Sequence, residues 1–223
     1  MKIIMINGSH RKTGATALIL NEIYQQLQTY DDVTVDMIHV ADLELNYCVG
    51  CGRCYQTGSR IFKDDIESLS LKIAHADGII LASPTYASNV SGQIKVIIDR
   101  GHFVMEQLLY GKYAISVTTY ENYGGRDSSK ILNRLLSYSG ARLSGTLISQ
   151  NDFDMNPLNK MQLRKKVQKT VHRFYQDILR KQKYLLQDIK HFLVFLLGIR
   201  PFVLRKGLQY DGVVDHWKEK GII

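Results

Sequence analysis

The chain alternates short apolar runs with longer stretches whose apolar residues recur three or four positions apart. Lys2 to Ile6 is a β-branched run that reads as a buried strand. Ala17, Leu18, Leu20, Ile23, Tyr24 and Leu27 then follow at helical spacing, and the pattern stops near Tyr30. Val33 to His39 alternates and predicts a second strand. Ala41 to Lys63 shows neither period and is expected to be irregular. Asp64 and Asp65 put acids at the start of a helix running to about His75, where the helix dipole favours them. Gly78 to Ala82 is continuously apolar, as in a strand covered on both faces, and leads into a polar loop from Ser83 to Gly92. A helix carrying Ile94, Val96, Ile97, Ile98 and Phe103 follows. After it come a strand over Tyr113 to Thr118, a helix over Arg126 to Ser139 and a strand over Arg142 to Ser149. Asn156-Pro157 opens a long final helix with few apolar and many basic positions. Five such alternations predict an α/β fold with a parallel sheet and helices on both faces. In such a sheet ligands bind beyond the carboxyl ends of the strands.

The first strand breaks into Asn7-Gly8-Ser9-His10-Arg11-Lys12-Thr13-Gly14-Ala15-Thr16, which then opens a helix. A helix start presents unpaired N–H groups and a partial positive charge, so a phosphate sits well there. Gly8 and Gly14 let backbone come close; Ser9, Thr13 and Thr16 offer hydroxyls, and Arg11 or Lys12 offers charge. The loop has neither the dinucleotide pattern of three spaced glycines nor a Gly-Lys-Ser/Thr ending, because Lys12 precedes Gly14. A mononucleotide-type site remains, with FMN as the candidate.

Two separated motifs carry a resemblance. Gly8-Ser9-x-Arg11-x-x-Gly14-x-Thr16 is the first. The second is Ser83-Pro84-x-Tyr86-x-x-Asn89-Val90-Ser91-Gly92-Gln93-x-Lys95, closed by Asp99-Arg100. Together they resemble the NAD(P)H-dependent FMN reductase family and its iron–sulfur flavoprotein relatives over residues 1 to about 150. The resemblance implies a flavodoxin-like doubly wound sheet of five parallel strands in the order 2-1-3-4-5, non-covalent FMN, and a homodimer or homotetramer. It implies that Ser9, Arg11, Gly14, Ala15 and Thr16 hold the phosphate and that Pro84, Thr85, Tyr86, Ser88 and Asn89 line the isoalloxazine. Thr119, Tyr120, Gly124 and Gly125 stand at the family's third flavin loop, in a looser match. The implied activity is hydride transfer from NAD(P)H to the flavin and on to a small acceptor: a quinone, a flavin, a nitro or azo compound, or a metal chelate. The alternative is an electron-transfer flavoprotein serving a protein partner. No side chain is assigned as a catalytic acid or base, since the flavin carries the chemistry.

Cys48, Cys51 and Cys54 form a compact cluster. The iron–sulfur relatives hold a [4Fe–4S] cluster with four cysteines, and Arg60 stands at the fourth position here. A cubane normally takes a thiolate on each iron. Three readings stay open: a metal-free loop, a cluster or metal with another fourth ligand, and a thiol redox site. The missing ligand weighs toward the first, so no metal is assigned and [4Fe–4S] is not favoured.

Composition adds two boundaries. Three clustered cysteines and no cleavable leader point to the cytoplasm and not to a disulfide framework. The net charge of +8 is uneven: residues 156–223 hold 15 Lys and Arg against 5 Asp and Glu, so the remainder is slightly acidic. This argues against a nucleic-acid-binding core. Residues 1–182 are read as the FMN-binding domain and 183–223 as a basic, apolar helical extension. That extension is expected to dock on a partner subunit or cover the flavin, or else to lie on a membrane surface.

Overall fold

The computed structural model describes all residues, Met1 to Ile223. Its strands are β1 (Lys2–Asn7), β2 (Thr34–His39), β3 (Gly78–Tyr86), β4 (Asn89–Val90), β5 (Tyr113–Tyr120) and β6 (Arg142–Gln150). The long strands pair in parallel in the order β2-β1-β3-β5-β6, and the two-residue β4 pairs antiparallel with the end of β3. The expected order 2-1-3-4-5 thus differs by the insertion of β4, which lies within the segment read as a loop. Its hairpin turn places Ala87 and Ser88 at φ of 48° and 60°, which is the conformation a tight two-residue hairpin needs.

Alternation along β1 explains the two layers. Ile4 and Ile6 join the core formed with Leu69, Ile73, Ile94, Ile97 and Leu132; Ile3 and Met5 join the core formed with Ile19, Leu20, Ile23, Val167 and Phe174. Helices α3 (Ile66–His75), α4 (Gly92–Arg100) and α5 (Gly125–Tyr138) therefore cover one face, and α1 (Ala15–Leu27) and α6 (Met161–Leu179) cover the other. Helix α6 begins later than expected, after a tight turn at Pro157–Asn159 in which Asn156 Oδ1 accepts from the Leu158 amide. Leu163, Val167, Val171 and Phe174 face inward, so a mostly basic helix still completes the core.

The segment Ala41 to Lys63 is irregular except for a turn at Val40–Asp42 and the short α2 (Arg53–Thr57). Its far end is fixed by one buried ion pair. Asp64 accepts two hydrogen bonds from the Arg100 guanidinium, at 2.8 and 3.1 Å, while Arg100 also donates to the Asn46 carbonyl. The tail comprises α7 (Leu185–Val194), a π-helical stretch (Phe195–Ile199), α8 (Arg200–Lys206) and α9 (Asp211–Glu219). Phe195, Ile199, Val203, Val213 and Trp217 make a third core, and the Trp217 indole donates to the Met105 carbonyl at 2.8 Å. Helix α9 lies against α2, with Gly212 directly over the backbone at Gly58. The extension thus folds back on the chain's own cysteine loop. No helix is long and apolar enough to cross a membrane.

Burial raises the Asp64 carboxyl, but the hydrogen bonds from Arg100 and Asn46 outweigh it and hold it below the usual carboxylate value of 3.8. A depressed carboxylate contributes stability above its unfolded pKa and loses it as pH falls through the folded one. Asp64→Ala strands a buried guanidinium and is expected to cost about 3–5 kcal/mol in urea unfolding at neutral pH. The gap to wild type should narrow as pH falls below 3.8.

Candidate functional site

Four loops meet at the carboxyl edge of the sheet and enclose a cleft. Its walls are the β1–α1 loop (Ser9, Arg11, Gly14 to Thr16), the end of β3 (Pro84 to Tyr86), the end of β5 (Thr119 to Glu121) and the segment after β6 (Asn151 to Phe153). The first wall is a preformed anion cradle. Helix α1 starts at Gly14 with no side-chain cap and no acid in its first turn. The Ala15 and Thr16 amides have no backbone acceptor. Ser9 shapes the loop: its amide donates to Asn7 Oδ1 at 3.0 Å, and its hydroxyl accepts from the Arg11 amide. Arg11 lays its guanidinium over the Phe153 ring, 4.3 Å from the centroid, at the cleft wall. Lys12 turns away to Asp42, so of the two basic residues only Arg11 serves the cleft. His10 lies outside it.

The loops are tied to one another. Thr16 and Thr119 share a buried hydroxyl–hydroxyl hydrogen bond of 2.6 Å, joining α1 to the end of β5. Ser91 caps α4 by accepting from the Ile94 amide and donates to the Gly8 carbonyl at 2.7 Å, joining the first loop to the hairpin. Gly8 is needed there because a Cβ would sit 2.1 Å from Ile94 and 2.8 Å from the Ala82 carbonyl oxygen.

Ser9, Arg11, Gly14, Ala15, Thr16, Pro84, Thr85, Tyr86, Thr119 and Tyr120 are thus brought together as expected, while Ser88, Asn89, Gly124 and Gly125 are not among the lining residues. Ser88, Gly124 and Gly125 stand behind it, and Asn89 pairs with Tyr86 in the β3–β4 hairpin. Gly124, at φ 80°, fits against Ser88, where a Cβ would come within 2.5 Å of the Ser88 Cα, and Gly125 fits under the Tyr120 ring. Sequence reasoning missed Glu121, Asn151, Asp152 and Phe153. A signal for the last three existed, since a strand next to β5 in a parallel sheet ends at the same edge.

Three features fit a flavin mononucleotide. The uncapped start of α1 beside Arg11 suits a phosphate. Thr85 Oγ1 is buried in the cleft wall without a partner, as a polar edge of a bound ligand would satisfy. Tyr86 and Phe153 are 56% and 64% exposed at the rim, which leaves aromatic area for a planar ring system to cover.

Residues 1–153 match the family described as NADPH-dependent FMN reductase. The chain belongs to that family. It is 35% identical, over the full length of both chains, to an iron–sulfur flavoprotein of Clostridioides difficile (strain 630). Among solved structures it is similar to an NADH:FMN oxidoreductase in its apo form, with TM-score 0.57 and 18% identity over 79% of this chain and 89% of that one. It is also similar to the flavodoxin of Megasphaera elsdenii, with TM-score 0.50 and 16% identity over 76% and 98%. The fold is flavodoxin-like, and the protein is a flavin-dependent oxidoreductase.

The cysteine loop of this family member does not fit a four-cysteine cluster. No three His, Cys, Asp or Glu side chains converge to hold a metal ion. At the fourth position that the resemblance implies, Arg60 is a permanently protonated donor with no lone pair to offer, held in place by hydrogen bonds to the Ser70 hydroxyl at 3.1 Å and the Arg100 carbonyl.

Gly8→Ala should cost about 1–3 kcal/mol of stability by overpacking the junction of the first loop with α4. Chemical denaturation of the variant measures this, with flavin content following the loss.

Proposed function

We propose that the cleft binds FMN non-covalently and that the protein is an NAD(P)H oxidoreductase reducing a small acceptor: a quinone, a free flavin, a nitro or azo compound, or a metal chelate. The observation that carries this reading is the uncapped α1 N-terminus beside Arg11, in a cleft that also carries exposed aromatic rings. In this role the Ala15 and Thr16 amides and the Arg11 guanidinium hold the phosphate. The Thr16–Thr119 hydrogen bond keeps the phosphate end and the ring end of the cleft in register. Pro84, Thr85, Tyr86 and Tyr120 orient the ring system and exclude water, and Gly124 and Gly125 support that wall from behind. Bound FMN supplies the hydride-accepting and electron-donating chemistry, so the chain's own task is binding, orientation and shielding.

A second reading is electron transfer to a protein partner, with little NAD(P)H turnover. The full-length likeness to the Clostridioides difficile iron–sulfur flavoprotein favours it; the incomplete cysteine set weighs against it. A homodimer or homotetramer belongs to the first reading. Helix α7 has no buried residue and exposes Leu185, Leu186, Ile189, Phe192 and Leu193, an apolar face that a second copy would cover. The basic residues around that face leave peripheral contact with an anionic membrane as the competing outcome.

Arg11→Ala removes one charge-assisted contact and should weaken FMN binding about tenfold to a hundredfold in a fluorescence titration. Unchanged affinity would misplace the phosphate. Anaerobic mixing of the flavin-loaded protein with NADH or NADPH should bleach the flavin band on a turnover timescale. Persistence of the band with both nucleotides would move the reading to electron transfer.

A further inference from the structure

A second cleft, of about 520 Å³, lies away from the flavin site and is lined by all three cysteines together with Arg60 and His102 and by residues of the tail. The flavin chemistry uses none of it. Within it the cysteines are not equivalent. Cys48 and Cys51 are exposed, whereas Cys54 is half-buried on α2 and lines the same cleft as the His102 imidazole. His102 is itself buried, and its Nδ1 pairs with Glu106 Oε1 at 2.8 Å. The Tyr55 ring packs against it at 4.9 Å. His102 also adopts a left-handed φ of 52°, a conformation that a non-glycine residue keeps only when its surroundings enforce it. A thiol, an imidazole and a carboxylate in that order form the arrangement of nucleophile, base and orienting group.

The turn before α2 supplies the second thiol. Gly52, at φ 70°, sits between Cys51 and Cys54, and its carbonyl accepts from the Tyr55 amide at 3.0 Å, so Cys51 stands just before the first turn of α2 and Cys54 within it. Arg60 and Lys206 also line the cleft, and neither pairs with a carboxylate.

We propose that Cys54, with His102 as its base, Glu106 as the orienting group and Cys51 as the resolving thiol, forms a thiol–disulfide exchange site for small anionic disulfides. The Cys54 proton passes to His102, and the thiolate attacks one sulfur of the disulfide. The S–S bond breaks, a mixed disulfide forms on Cys54, and the first thiol leaves with the proton held by His102. Cys51 then loses its proton and attacks the Cys54 sulfur. The second thiol leaves protonated, and a Cys51–Cys54 disulfide remains. Two protein thiols are oxidised by two electrons, and one small disulfide is reduced to two thiols.

The surroundings agree with this. Burial raises the Cys54 thiol, but the neighbouring His102 outweighs it and brings its pKa below the ordinary thiol value. Burial lowers His102, and Cys54 and Glu106 outweigh that and lift it to about 9. The other groups facing the pair are Tyr55 and Cys48 of the loop, Arg60, and Tyr210, His216 and Lys220 of the tail.

The test uses the flavin-loaded full chain with oxidised glutathione as the anionic probe and cystamine as the cationic one, read by peptide mass mapping. Glutathione should label Cys54 ahead of the more exposed Cys48, and a Cys51–Cys54 disulfide should follow. Cys51→Ser, at an exposed position, should trap the mixed disulfide on Cys54. His102→Gln should slow labelling of Cys54 about a hundredfold or more, and Arg60→Ser should slow glutathione but not cystamine. First labelling at Cys48 with Cys54 spared would overturn the proposal. So would stoichiometric iron and sulfide that shield the thiols until the iron is chelated.

Discussion

Strand β1 is covered on both faces, and the functional architecture depends on that constraint. Ile3, Ile4, Met5 and Ile6 are all essentially inaccessible, each pair serving a different helical layer. A strand so placed cannot be shifted by one residue without exchanging its two faces, so the point where the backbone leaves the sheet at Gly8 is set rigidly. The anion cradle that follows inherits this rigidity. The start of α1 is fixed by the core, and the serine-shaped turn that carries Arg11 spans the short loop between β1 and α1.

The same sheet brings distant segments to one edge. Thr16 and Thr119 are 103 positions apart and share a hydrogen bond; Gly8 and Ser91 are 83 apart and share another. Each is buried, so each replaces water with a partner that a low-dielectric site demands. The cleft is held by these cross-loop contacts, and its aromatic rim stays exposed for a planar ligand. A flavoprotein needs little more, because the reaction belongs to the cofactor and the protein contributes position and shielding.

The cysteine loop is a separate construction. It is fastened at one end by the buried Asp64–Arg100 pair and roofed by the tail, whose Trp217 anchors α9 to the Met105 carbonyl. Where the sequence resemblance implies a fourth ligand, Arg60 stands as a fixed cation. That change removes a lone pair and adds a charge, which suits anions and thiolates and does not suit a cubane.

Much of this was legible along the chain. The alternating periods of strand and helix, the loop from Gly8 to Thr16 and the second motif from Ser83 were enough to determine the layered α/β fold and the edge at which its loops form a cleft, because periodicity and backbone chemistry are local properties. Arg11 over Lys12, the fourth wall at Asn151 to Phe153, and the supporting role of Ser88, Gly124 and Gly125 were decided only in three dimensions. Each depends on which segments the sheet makes neighbours. The tail shows the limit most clearly. Its sequence offered a partner subunit, a flavin cover or a membrane, and the folded chain lays α9 on its own cysteine loop. Composition can report that an apolar face exists, but the partner that buries it is a matter of tertiary packing.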